Sequence, residues 1–527
     1  MKIPEFHARS LVACLAAAFL FSSAAHAQGR PSGFWTAPDA DAAHNNWQKA
    51  ETEINTGTVT KNFKFLWKYK LGKDASKSPS FSEVLLYPGL ITGKGFKDMA
   101  LVADAGTLYA LDSELGELVW QKDFKSTGSR GCGNVQFITE APQLIHFGGP
   151  RPAAKPGAPP APPPPRPPEE PLPVSERRIG ASPGGGYFGL RGVYVVTSDG
   201  YVHEQIMATG LDYAQPVKFL PVAGGSSFGL NMNEKVLYAL SGAGCHNVAN
   251  ALWSIDLNTP DYTVSSYKTQ KISLNGLTGP AIGRDGTVYV TTGAGMSQPP
   301  VYAGSVVALD AKDLKVKDWY APSASGRQLN AGPVVVGYKE KELIAAPGKD
   351  GSLVLLDSQS LGGADHHTPL AETASLTKGA KHEGWEGLAT AQDRSGVWVF
   401  ASITGQVEPD VKFASTNGSV PHGSIVAFKV EEQDGHMQLT PAWISQDLKN
   451  PAPPVFANGV VFALDQGSGS GHATLYALDA ATGKQLYSSG DAIQGYAHLS
   501  GMSVGDGHVF FVTHDNTLYS FGIPLEH

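Results

Sequence analysis

The chain has 527 residues with a net charge of −8, only 17% charged residues, 61 glycines and 37 prolines. That length exceeds one ordinary compact core unless the core is built from repeats, and the glycine and proline content suits short strands and tight turns rather than a helical bundle. The acidic balance, with no basic stripe or aromatic-basic run, argues against a nucleic-acid partner.

The N-terminus reads as a secretory signal. Lys2 and Arg9 supply positive charge, Leu11 to Phe21 is a short apolar run, and Ala25-His26-Ala27 is a small-x-small cleavage pattern. Residues 1–27 are therefore expected to be removed, leaving Gln28 first and residues 28–62 as an N-terminal extension. Leu11-Val12-Ala13-Cys14 imitates a lipoprotein box, but the apolar run follows Cys14 rather than preceding it. No later segment is long and apolar enough for a membrane helix, so a soluble periplasmic or secreted protein is expected. Two cysteines then remain, Cys132 and Cys245, either as a disulfide or as separate buried thiols. Without Cys-x-x-Cys-His, no covalent haem is expected.

From residue 63 onward one phrase recurs: a small turn, an alternating apolar strand, then Leu-Asp. Gly106-Thr107-Leu108-Tyr109-Ala110-Leu111-Asp112 is the first copy, and a degraded one follows at Gly200-Tyr201-Val202-His203-Glu204. Later copies begin at Ala251, Gly304, Gly351, Gly423, Ala473 and Asn516. A further apolar strand precedes each copy, often behind a Gly-Pro or Pro-Pro lead-in, and a turn and strand follow. Four alternating strands per unit, at spacings of roughly 40 to 50 residues, are the pattern of propeller blades. The terminal aspartates sit where a carboxylate caps a turn by accepting backbone N–H groups.

Eight copies predict an all-β, eight-bladed propeller of four-stranded antiparallel blades over 63–524, or seven blades if the Gly200 copy is not one. Phe63 to Leu71 looks like a final strand placed before the first blade, while Val509 to Phe521 lacks one of its own. The N-terminal strand is therefore expected to complete the last blade and close the ring. A proline-rich insertion at 148–178 interrupts blade 2 as an extended loop, and Gln406 to His422 forms a longer loop in blade 6.

Leu475 to Lys484, L-Y-A-L-D-A-A-T-G-K, resembles the repeat of the pyrroloquinoline quinone (PQQ) β-propeller superfamily. Ala110, Asp112, Gly116 and Trp120 keep the same frame, with Leu115 and Glu117 departing from it. In that superfamily the repeat's tryptophan docks between blades, so the resemblance speaks to fold. Trp35, Asn45-Asn46-Trp47 and Ile54-Asn55, together with Glu383-Gly384-Trp385-Glu386, are similar to quinoprotein alcohol dehydrogenases. The superfamily also holds outer-membrane assembly lipoproteins that bind no cofactor.

The resemblance implies PQQ and Ca²⁺ at the channel, and oxidation of an alcohol or sugar with electrons passed to a separate acceptor. A quinone needs a flat slot and donors for three carboxylates, Ca²⁺ needs oxygen ligands, and the oxidation needs a carboxylate base. Candidates at the blade lead-ins are Trp385 as platform, Arg130, Arg327 and Lys449 with Asn134 and Asn330 as donors, and Glu386 as base. Asn275, Asn450 and His498 occupy similar positions. Solvated rim residues would have the same composition, so the competing reading is a non-catalytic propeller binding a protein or glycan. The dehydrogenases' adjacent cysteine pair is missing here. His366-His367 is expected in a loop without partners, not as a metal site.

Overall fold

The computed structural model describes residues 33–72, 81–124, 135–139, 173–181, 191–221, 226–242 (without the side chains of 226–228), 249–276, 278–323, 329, 331–377, 387–408, 411–469, 471–497 and 501–524. Their strands form eight sheets. Blade 1 is Leu85–Thr92, Gly95–Ala103, Thr107–Asp112 and Leu118–Asp123, each antiparallel to the next. Blades 2 to 7 repeat that meander, beginning at Gln136–Thr139, Ser226–Asn233, Leu274–Asn275 with Ala281–Ile282, Val334–Tyr338, Leu388–Asp393 and Val455–Ala457. The degraded copy is a true strand, Tyr201–Ile206 of blade 2, so the count is eight and not seven.

Blade 8 is closed by the N-terminal strand. Lys64–Lys70 pairs antiparallel with Thr517–Gly522, outside His508–Thr513 and Ser503–Gly505. Phe65 faces Phe521 and Tyr69 faces Leu518 in the register. The proline-rich insertion falls between the first two strands of blade 2, and residues 140–172 lie outside the described residues. In the blade 6 insertion, Ser415–Thr416 adds a fifth strand parallel to Trp443 and Ile444.

The apolar core lies between blades rather than inside one sheet. Separate clusters join blades 2 and 3, 3 and 4, 4 and 5, 5 and 6, and 6 and 7, and one large cluster runs through blades 7, 8, 1 and 2. Both faces of each strand are covered, so the repeats carry apolar residues at consecutive positions: Leu108, Tyr109, Ala110 and Leu111 are all buried. The repeat aspartates cap turns as expected. Asp112 accepts from Glu114 and Leu115 N–H, Asp310 from Lys312 and Asp313, and Asp479 from Thr482.

Tryptophans lock consecutive blades. Trp67 of blade 8 donates to Ser113 O at 3.0 Å, Trp120 of blade 1 to Met207 O at 2.8 Å, and Trp443 of blade 6 to Ala480 O at 2.8 Å. Each ring lies over a turn glycine of the next blade, Gly116, Gly210 or Gly483, with φ of 68°, 70° and 72°. A Cβ on Gly483 would overlap the Trp443 ring, so one of them must shift. Gly483→Ala is therefore expected to lower unfolding stability by about 2 kcal/mol, combining left-handed strain with the lost docking. Thermal or denaturant unfolding checks this against Lys484→Ala, an exposed neighbour expected to change little. Tyr487 stands where the tryptophan would be in blade 7 and packs edge-on against Phe63 at 4.9 Å, where the N-terminal segment meets the ring.

Candidate functional site: the central channel

The first strands of neighbouring blades approach one another around the ring and form the wall of a central channel. The chain enters those strands on one face, here called the lead-in face. The hairpin turns that follow lie on the opposite, turn face.

The N-terminal segment crosses this channel and bonds to all eight blades in sequence order. Trp35 exchanges both backbone bonds with Leu86 of blade 1, at 3.0 and 2.9 Å, and Thr36 O accepts from Thr139 N–H of blade 2. Ala42 O accepts from Asn231 Nδ2 of blade 3 and from Ile282 N–H of blade 4. Ala43 O, Asn45 O and Asn46 O accept from Val335, Thr390 and Phe456 of blades 5, 6 and 7. Gln48 Nε2 then donates to Val504 O of blade 8 at 2.9 Å. The inner strands have no ninth sheet to pair with, and this segment takes up their exposed N–H groups. Trp35, Asp39, His44, Asn46 and Gln48 are all buried.

The path requires unusual backbone. Asp39, Ala40, His44 and Asn46 have φ of 58°, 85°, 56° and 48°. Left-handed residues other than glycine cost about 1–3 kcal/mol each and persist where surrounding contacts over-determine them. Here the eight-blade bonding does so.

On the lead-in side of this segment lies a buried polar cluster. Trp35 Nε1–H donates to Glu83 Oε1 at 2.5 Å, and the Asp39 N–H lies 3.1 and 3.2 Å from the two Glu83 oxygens. Asn231 Nδ2 lies 2.7 Å from Pro280 O and 2.8 Å from His44 Nε2. His44 Nδ1 lies 3.4 Å from Asp39 Oδ2 on the other side of the ring. Burial, and secondarily the nearby Asp39 charge, holds the Glu83 carboxyl well above its usual range. Between the unfolded and folded values the native state binds the extra proton, so this group costs stability as pH rises. Glu83→Gln copies the protonated acid. The variant should gain stability over wild type as pH rises above the ordinary carboxylate range, with the difference vanishing near about pH 4. Melting temperatures across that range test it, and a pH-independent difference would contradict it.

The sequence-derived site residues fall mostly elsewhere. Arg130, Asn134, Arg327, Asn330, Trp385, Glu386 and His498 lie outside the described residues, as do Cys132 and Cys245. Lys449 is exposed at the lead-in of blade 7, and its backbone N–H donates to Asp465 at 3.0 Å. Asn275 and Asn450 instead spend their amides on structure, donating to Leu329 O and Gly467 O, both at 3.1 Å. Among the described residues the one carboxylate cluster with metal-ligand spacing is Asp98, Glu114 and Asp506. It joins blades 1 and 8 on the turn face and is not at the lead-in mouth. Of the groups proposed for quinone and Ca²⁺, Lys449 alone is among the described residues.

His366 is not without partners, contrary to the sequence expectation. Its ring stacks on Trp319 at 4.6 Å, with Nδ1 3.1 Å from Asp318, because the loop folds back over the blade 4 tryptophan. The sequence reading treated 28–62 as an extension and missed Glu83, Asp39 and His44. The alternating polar and small residues of 36–46 carry no strand or helix period that would have flagged them.

No family model matches the chain, and no curated protein matches it in sequence. Solved structures share its fold. The quinohemoprotein alcohol dehydrogenase from Comamonas testosteroni aligns over 95% of this chain and 82% of its own, with 13% identity and a TM-score of 0.56. A quinohemoprotein alcohol dehydrogenase from Pseudomonas putida HK5 aligns over 94% and 81%, with 13% identity and a TM-score of 0.57. A europium-containing methanol dehydrogenase aligns over 94% and 99%, with 11% identity and a TM-score of 0.56. At these identities the likeness is one of fold. No helix among the described residues is long and apolar enough to cross a membrane.

Proposed function

We propose that the protein is an exported quinoprotein-type oxidoreductase that binds PQQ with Ca²⁺ at the lead-in mouth and oxidises an alcohol or sugar. The observation that carries this reading is the blind channel. Segment 35–48 crosses the channel and bonds to every blade, so a molecule entering at the lead-in mouth would meet a floor. Such a floor would shield a bound cofactor from water on one side while substrate enters from the other. The likeness in fold to alcohol dehydrogenases over nearly the whole chain supports it.

PQQ, when bound, would supply the two-electron acceptor chemistry. In this reading Trp385 is the flat wall, Arg130, Arg327 and Lys449 with Asn134 and Asn330 hold the carboxylates, and Glu386 takes the substrate hydroxyl proton. Electrons leave to a separate acceptor. Mature protein mixed with PQQ and Ca²⁺ should retain quinone absorbance and reduce dye with some alcohol or sugar. Glu386→Gln should lower turnover by about 10²–10⁴ while quinone is still retained. No retained quinone under any condition would rule the reading out.

A second reading has its own support. The commitment of Asn275 and Asn450 to blade packing fits a non-catalytic propeller whose mouth loops bind a protein or glycan. Failure to retain quinone would favour it.

A further inference from the structure

On the turn face, the far side of segment 35–48 from Glu83, lies a cavity of about 530 Å³. Its floor is the N-terminal segment itself, including Thr36, Asn45 and Trp47. Its wall is the ends and turns of the first strands of blades 2 to 6. That volume falls in the range of small-molecule sites, with room for one or two sugar rings.

The wall chemistry defines a ligand class. Three carboxylates, Asp41, Glu234 and Glu342, stand against three cations, Lys49, Lys235 and Arg284, so the formal charges cancel. They are also largely used up. Lys49 pairs with Asp41 at 2.6 Å, Arg284 lies 3.9 Å from Glu342, and Lys235 donates to Gly180 O. An anionic ligand would have to break these pairs, and a cationic one would meet only the solvent-exposed Glu234. Neutral donors and acceptors are another matter. The side chains of Thr36, Thr390, Asn233 and Gln392 line the cavity without a hydrogen bond to another described residue. Two amides and two hydroxyls around one space, with Gln392 exposed at its rim, match the alternating donor and acceptor demand of neighbouring hydroxyl groups. Trp47 supplies apolar wall, with Lys49 Nζ 5.4 Å from its ring.

We propose that this cavity binds a neutral saccharide or polyol, at a site separate from the lead-in mouth. Binding there would bridge the N-terminal segment to blades 2 to 6 without touching the quinone candidates.

The test titrates mature protein, with no PQQ added, with neutral disaccharides and hexitols. Tryptophan fluorescence and calorimetry are followed, with glucuronate and glucosamine as charged comparators. Saturable binding of a neutral sugar is expected, with the charged comparators about tenfold weaker or worse. Asn233→Ala with Gln392→Ala should weaken it about tenfold or more while the ligand-free melting temperature stays put. No saturation by any neutral saccharide overturns the proposal, as does binding that the double variant leaves unchanged. The latter outcome would place the sugar at the lead-in mouth, and PQQ retention is scored independently of either.

Discussion

Removal of residues 1–72 is expected to abolish the cooperative fold, giving a chain that exposes apolar surface and aggregates. Lys64–Lys70 is the outer strand of blade 8, so its loss leaves Thr517–Gly522 as an open edge. The Trp67 lock onto blade 1 goes with it, as does the segment that bonds all eight inner strands. Each blade buries its apolar faces only against neighbours, so opening one seam exposes two faces at once. A circular permutant distinguishes loss of these residues from loss of their order. It would begin at Phe81 and carry residues 33–72 after Pro524, keeping the same contacts, and it should fold. Circular dichroism and a single unfolding transition in the permutant, against neither in the truncation, would bear out the closure. A truncated chain that unfolds cooperatively at the wild-type temperature would refute it.

Trp35→Ala is the point change with the largest expected effect. Trp35 is fully buried between the channel segment and blade 1, and its indole N–H is the short partner of Glu83. Truncating a buried tryptophan costs about 3–5 kcal/mol, and leaving the Glu83 oxygen without its donor adds about 1–3 kcal/mol. Against a total of about 5–15 kcal/mol for a folded domain, that approaches loss of the native state. Trp35→Phe keeps most of the packing and should recover the larger part of the deficit. Combining Trp35→Ala with Glu83→Ala should not be additive, because either change alone already removes the bond the two side chains share. Denaturant unfolding of the three variants measures the coupling, and strict additivity would mean that the bond carries no energy.

The repeat made the fold legible because it writes the same physics eight times. Alternating apolar strands, turn aspartates and docking tryptophans are local in sequence, and each unit meets its neighbours in the same way. Even the closing strand could be read, since Phe63 to Leu71 had strand character and no blade of its own. The mouth residues were legible only as residue types at blade lead-ins. Asn275 and Asn450 show why such a reading falls short: an amide at a lead-in serves the next blade or its own blade as readily as a ligand.

By itself, then, the sequence determined the blade and the way the ring closes, and narrowed the number to eight or seven, because these depend on patterns repeated along the chain. Only the tertiary structure decided what fills the middle. Segment 35–48 has no period, four of its residues are held at positive φ, and its hydrogen bonds reach from Leu86 to Val504. Its conformation is set by the open N–H and C=O groups of eight inner strands, which exist as a ring only after the blades have assembled. The buried Glu83, Asp39 and His44 cluster and the turn-face cavity follow from that ring, and no stretch of the chain read alone contains them.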